Sequence, residues 1–196
     1  MSLARLEDKK SPAEKKFDFA PLSILVCDSS VSMLKLYKEA LGGIGFGSIY
    51  TTREVAEAKH VMADSTVDMI VMDVVDEHDK PSGLLFLKEL RRWSDDKMAT
   101  LPVIVASSRV TPQQVVAARD AGMNEFLIKP FSVGSLFRSV ARIVEDPKAF
   151  VRIGKYIGPC RRRRALPINA PDRRRTQAGV IPAAPIQTAA LGAGSH

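Results

Sequence analysis

The sequence predicts an α/β fold, a five-stranded parallel sheet wound by helices on both faces, and three observations predict it. Short apolar runs recur along residues 21 to 145 and alternate with helix-length segments. The central run, Val67 to Asp73 (VDMIVMD), has the near-continuous apolar character of a strand buried on both faces. Several runs also end in polar residues of complementary chemistry, which places those residues along one sheet edge if the strands are parallel.

The elements follow in order. Ile24 to Cys27 reads as the first strand and ends in Asp28-Ser29. Ser29 or Ser30 caps a helix carrying Met33, Leu34, Leu36, Tyr37 and Leu41 on its inner side, with Gly42-Gly43 as its stop. A short strand near Ser48 to Thr51 precedes a helix from Thr52 to about Met62, where Val55, Ala58, Val61 and Met62 recur at helical spacing. After the central strand and a long loop, Gly83 to Trp93 forms the third amphipathic helix, and Trp93 is a packed helix end with no assigned function. Pro102 to Ala106 is the fourth strand and ends in Ser107-Ser108. Thr111-Pro112 starts a fourth helix that stops at Gly122. Phe126 to Ile128 is the fifth strand, followed by Lys129-Pro130, and Ser132 opens a fifth helix to about Glu145.

Size and composition bound the rest. A chain of 196 residues, 45% hydrophobic, makes one domain with tails. Residues 1 to 20 mix lysines with acids and read as a flexible leader. Two cysteines make no disulfide framework: Cys27 lies in a buried strand and Cys160 in a basic tail, which suits a reducing compartment. No apolar stretch approaches a membrane span and the amino terminus is charged, so a cytoplasmic protein without membrane insertion is expected. His60, His78 and His196 lack a partner at metal-ligand spacing, and no Ser-His-Asp or Cys-His arrangement stands out.

The four strand ends bring two carboxylates, a hydroxyl and an ammonium to one point. Asp28 and Asp73 supply hard oxygens for a divalent cation, while Ser107 and Lys129 suit the oxygens of a phosphoryl group carried by a carboxylate.

From Pro21 to Glu145 the chain resembles the response-regulator receiver family, CheY-like proteins, which have a flavodoxin-like fold. The resemblance rests on ILVCDSS at 24 to 30, VMD at 71 to 73, PVIVASS at 102 to 108 and AGMNEFLIKPF at 121 to 131. It implies that Asp73 is the phospho-acceptor, Ser107 the switch hydroxyl, Lys129 the catalytic lysine and Phe126 the switch aromatic. It also implies a Mg2+ site of Asp28, Asp73 and the Val75 main chain, and a cis Lys129-Pro130 bond. A histidine kinase or phosphotransferase would be the phosphoryl donor, and the fourth-helix, fifth-strand and fifth-helix face would dock a protein partner. At most, such a domain catalyses its own phosphotransfer onto Asp73.

Two departures qualify this. Ser29 stands where the family carries a second acid that ligates magnesium, so one ligand charge is missing and metal binding is expected to be weak. The segment VVDEHDKPSG after Asp73 reaches its glycine two residues later than in the family. Asp76, Glu77 or His78 could fold back as a replacement ligand, or the segment is a polar surface loop.

Residues 146 to 196 hold ten basic residues against Asp146 and Asp172, so all the excess of the chain's +7 charge lies there. The composition reads as a disordered, Ala/Pro-rich tail. A basic run commonly marks a non-specific polyanion footprint on nucleic acid or an acidic protein. Here both clusters, Arg161, Arg162, Arg163, Arg164 and Arg173, Arg174, Arg175, are purely arginine. Arginine binds phosphate and the guanine edge bidentately and stacks on bases. With Tyr156 and the turn-forming Gly158-Pro159 just before, the set fits a compact, doubly phosphorylated guanine ligand, and cyclic di-GMP is one. The combination resembles the Cle group of CheY-like effectors, which bind cyclic di-GMP through an arginine-rich extension and act on the flagellar motor. Two function classes follow: a docking module gated by cyclic di-GMP, and a phospho-accepting regulator with a basic tail.

Overall fold

The computed structural model describes residues 17–154, 156–161 and 179–182. Five parallel strands, β1 (Ser23–Cys27), β2 (Ser48–Thr52), β3 (Met69–Asp73), β4 (Val103–Ser107) and β5 (Glu125–Ile128), pair in the order β2-β1-β3-β4-β5. The helices are α1 (Val31–Ile44), α2 (Val55–Asp64), α3 (Ser82–Leu90), the one-turn α4 (Asp96–Ala99), α5 (Pro112–Asp120) and α6 (Val133–Glu145). Alternate residues of the central strands feed two cores. Ile24, Val26, Val71 and Ile104 face Leu41, Leu136 and Val140 on one side. Leu25, Ile70, Met72 and Val105 face Met62, Phe86, Leu87 and Leu90 on the other.

Local chemistry sets the helix ends much as expected. Ser30 caps α1, and Thr111 and Ser132 close reciprocal capping boxes on α5 and α6. Two ends differ. Helix α1 runs through Gly42-Gly43 and stops at Gly45, whose φ of 105° reverses the chain. The second helix begins at Val55 because Thr52 remains in the sheet, paired with Cys27. The expected fourth and fifth helices are α5 and α6, since α4 intervenes.

Both presumed tails contribute structure near the domain. Residues 1–16 of the expected leader lie outside the described residues, but Phe19 is 2% exposed, stacked on Phe46 with ring centroids 5.3 Å apart and edge-on to Phe137. Burying one phenylalanine contributes about 2 kcal/mol, and two aromatics in a charged stretch are too few to show as periodicity.

At the other end, β6 (Phe150–Ile153) and β7 (Tyr156–Pro159) form an antiparallel hairpin, and β8 (Gly179–Ile181) pairs with the free side of β6. A composition averaged over fifty residues conceals this ten-residue alternation. Phe150, 2% exposed, anchors it. Tail residues 155, 162–178 and 183–196, and with them the arginines at 162–164 and 173–175, lie outside the described residues. Among the described residues, no helix is long and apolar enough to cross a membrane.

Candidate functional site

The carboxyl edge of the sheet gathers the predicted residues because the strands end in register: Cys27 lies beside Met72, Asp73 beside Ala106, and Ser107 beside Ile128. One step past these ends stand Asp28 and Lys129, fixed by main-chain bonds from Asp28 N to Thr52 O (3.0 Å) and from Lys129 N to Ser107 O (2.8 Å). The Lys129-Pro130 peptide is cis. Gly83, at the start of α3, is needed here: a Cβ at that position would lie 1.8 Å from the Asp73 carbonyl oxygen.

Lys129 bridges both carboxylates. Its Nζ donates to Asp28 Oδ2 and, at 2.6 Å, to Asp73 Oδ2, with the lysine and Asp28 both almost fully enclosed. The remaining oxygens accept from main-chain amides, Asp28 Oδ1 from Ser30 N (3.0 Å) and Asp73 Oδ1, loosely, from Val75 N (3.4 Å). Two carboxylates and one ammonium leave a net single negative charge. Beside them lies a cavity of about 380 Å³, lined among others by Asp28, Ser29, Arg53, Asp73, Val75 and Glu77. Ser29 is at the expected position, and its main-chain oxygen accepts from Arg53 Nε at 3.3 Å.

The switch pair is divided. Ser107 is buried, and its hydroxyl donates to Arg109 O (2.7 Å) and accepts from Arg109 N (3.2 Å), closing a local turn. Phe126 is half-buried against the α2–α3 core. Of the three candidate replacement ligands, Asp76 and Glu77 are engaged within the protein and His78 lies beside Glu77, its Nε2 3.7 Å from Glu77 Oε1. Asp76 accepts from the amides of His78 (2.9 Å) and Lys80 (3.0 Å), Glu77 pairs with Arg53 (3.3 Å), and Asp79 pairs with Arg109 (3.1 Å). The loop is therefore held on both flanks by arginines that no motif marks. Among the described residues, no group of three His, Cys, Asp or Glu side chains converges as a metal site. The oxygens that could hold Mg2+ are those of Asp28, Asp73 and Val75, and two of them are already committed to Lys129.

Burial sets the titration of two neighbours. Enclosure, then the charges of Asp28 and other acids, push the Cys27 thiol up to about 11 against a bond with Thr52, so it behaves as a packing residue. Enclosure also raises Tyr37, with Asp28 and Asp73 adding to the effect; its hydroxyl has no hydrogen-bond partner.

The second charged centre is at the opposite sheet edge. Arg91, 2% exposed, donates from Nε to Gly122 O (2.9 Å), from Nη1 to Ala99 O (2.9 Å) and Leu101 O (2.8 Å), and from Nη2 to Asn124 Oδ1 (3.2 Å). Burial lowers its pKa from 12.5 to about 9. The Phe150 ring covers the guanidinium, 4.9 Å from centroid to Cζ. The hairpin thus seats on Arg91 and on Gly122, whose φ of 97° and contact with Ile157 O exclude a side chain. From this seat Arg161 reaches back: its guanidinium lies 5.0 Å from the Tyr156 ring centroid, with bonds to Asp120 Oδ1 (3.3 Å) and Arg119 O. Of the predicted tail set, Tyr156 and Arg161 meet; the other six arginines fall outside the described residues.

A five-stranded doubly wound sheet with two acids and a lysine at its carboxyl edge defines a receiver-type signalling domain. The family model of the response regulator receiver domain matches residues 24–141, and the chain belongs to that family. It is 25% identical over 126 residues to chemotaxis protein CheY-3 of Vibrio cholerae, covering 63% of this chain and 92% of that protein. It is 29% identical over 115 residues to the KDP operon transcriptional regulatory protein KdpE of Escherichia coli, covering 58% of this chain and 47% of KdpE. The solved structure of CheY4 of Vibrio cholerae superposes with a TM-score of 0.56 at 22% identity, over 62% of this chain and 98% of CheY4. The five-stranded receiver fold and a place in two-component or chemotaxis signalling follow from these matches.

Proposed function

We propose that this protein is a receiver used mainly as a docking module, whose arginine-rich tail binds cyclic di-GMP and thereby gates a protein partner such as the flagellar motor. The observation that carries the reading is the placement of an arginine guanidinium over the Tyr156 ring beside Gly158-Pro159. A ring with a planar cation at stacking distance is the local chemistry a guanine base uses. Six further arginines follow in sequence, 162–164 directly and 173–175 after a short spacer, and their chemistry suits two phosphates and the guanine edges. The docking surface is the α5–β5–α6 face, whose elements each carry an exposed apolar residue, Val116, Ile128 and Val133.

The metal side of the site supports the same reading. Asp28, Asp73 and the Val75 carbonyl would hold Mg2+ weakly, because Ser29 contributes no charge and Lys129 competes for both carboxylates. A second reading has a specific observation in its favour: Lys129 touches Asp73 at 2.6 Å, and Ser107 closes the neighbouring strand. In it, Asp73 accepts a phosphoryl group from a histidine kinase or phosphotransferase, and the tail binds DNA or an acidic protein.

Replacing Arg161–Arg164 by lysine separates the two. The change keeps every charge but removes the bidentate fork and the stacking plane, so cyclic di-GMP affinity is expected to fall at least tenfold. Unchanged binding, together with DNA binding of steep salt dependence, would return the tail to a purely electrostatic role.

A further inference from the structure

The ring that the tail site offers is already occupied by the tail's own arginine. Arg161 covers Tyr156 and is tied to two acceptors at one point, the Asp120 carboxylate and the Arg119 carbonyl. Both acceptors end α5, where the helix dipole favours a cation, and the Arg119 carbonyl also accepts from Gly122 N at 3.1 Å. Asp120 also pairs with Arg119 Nε at 3.2 Å, so its charge is shared rather than committed to Arg161. Beneath the ring, the Tyr156 hydroxyl is buried without a partner against Gly158, and Gly158 rests on Gly122, directly after α5. The ring therefore packs against the domain through its hydroxyl end, and Arg161 covers its face.

We propose that Asp120 is a resting seat for Arg161, an affinity-setting residue that any stacking, anionic ligand of the tail must displace. The inference rests on the tail reading above. A ligand base takes the ring face, its phosphate takes the guanidinium, and the last turn of α5 loses a cation from its carbonyl end. Because α5 forms one side of the apolar α5–β5–α6 face, occupancy of the tail reaches the docking surface through that helix end. The two acids that pair with Arg161 and Arg152 are not equivalent in this account. Asp120 holds Arg161, whereas Asp96 holds Arg152 at 3.1 Å on β6, away from the ring.

The test uses the full chain and the substitutions Asp120→Asn, Asp96→Asn and Arg161→Ala. Cyclic di-GMP affinity is measured by calorimetry for the wild type and the two asparagine variants. Backbone amide shifts of residues 117–122 are recorded without ligand for the wild type and Arg161→Ala. An exposed pair of this kind is worth a small factor, so Asp120→Asn should bind about threefold more tightly, while Asp96→Asn, which removes the same charge, stays at the wild-type value. In the free protein, Arg161→Ala should shift the amides of Arg119 to Gly122. Equal affinities for all three proteins, or equal gains for both asparagine variants, overturn the seat and leave the cyclic di-GMP reading standing. If the wild type binds no cyclic di-GMP, the tail reading falls and the seat is judged on the amides alone, where an unshifted α5 end overturns it.

Discussion

Lys129 and Arg91 are both enclosed cations, placed at opposite edges of one sheet, and their partners assign them opposite roles. Lys129 follows β5 at the carboxyl edge and is neutralised by two carboxylates. Arg91 packs at the amino edge, before β4 and β5, and has four neutral acceptors and an aromatic face. A point-like ammonium between two anions can exchange partners, since a phosphoryl group or a metal alters the same charge balance. A guanidinium whose planar fork is matched by fixed oxygens has no comparable alternative. One end is built to change and the other to hold, and the tail hairpin is attached to the end that holds.

The strongest way to break this comparison is to remove each cation. Arg91→Ala leaves the carbonyls of Gly122, Ala99 and Leu101 buried without a donor and uncovers Phe150, so a loss of about 4 kcal/mol is expected in urea denaturation, with amide protection lost across 150–159. Lys129→Met leaves Asp28 and Asp73 facing each other and should cost about 3 kcal/mol, with the hairpin still protected. Equal hairpin protection in both variants would contradict the division of roles. A subtler break is Gly122→Ala. Its φ of 97° and the crowding against Ile157 predict about 2 kcal/mol, again read as hairpin opening.

At the carboxyl edge, Ser29→Asp sharpens the contrast by adding the missing ligand charge. Mg2+ affinity should rise about tenfold, or about 1.4 kcal/mol, followed by calorimetry, and phosphorylation of Asp73 by small phosphodonors should accelerate. Tight Mg2+ binding by the unsubstituted protein would contradict the account of Ser29.

The two ends also differ in how far the sequence reveals them. The carboxyl edge was legible because each strand ends in a polar residue after an apolar run, so Asp28, Asp73, Ser107 and Lys129 fall together once the strands are taken as parallel. Cap chemistry at Ser30, Thr111 and Ser132 likewise marked helix starts. Arg91 was not legible: in KELRRW it has the pattern of a polar residue on an amphipathic helix, and only the non-local meeting of Leu101, Gly122 and Phe150 encloses it. Arg53 and Arg109 were missed for the same reason, since their partners lie on a loop whose path no periodicity fixes. The hairpin escaped because charge dominated the reading of its neighbourhood, and Phe19 because an isolated aromatic has no period.

The central claim, that the hairpin and its arginines form a guanine-specific site rather than a basic surface, is tested most directly by titrating the full chain with cyclic di-GMP and cyclic di-AMP under identical salt. The two ligands share the phosphate ring and differ at the base. Binding of cyclic di-GMP at least tenfold tighter is the predicted result, and equal binding of the two would contradict it.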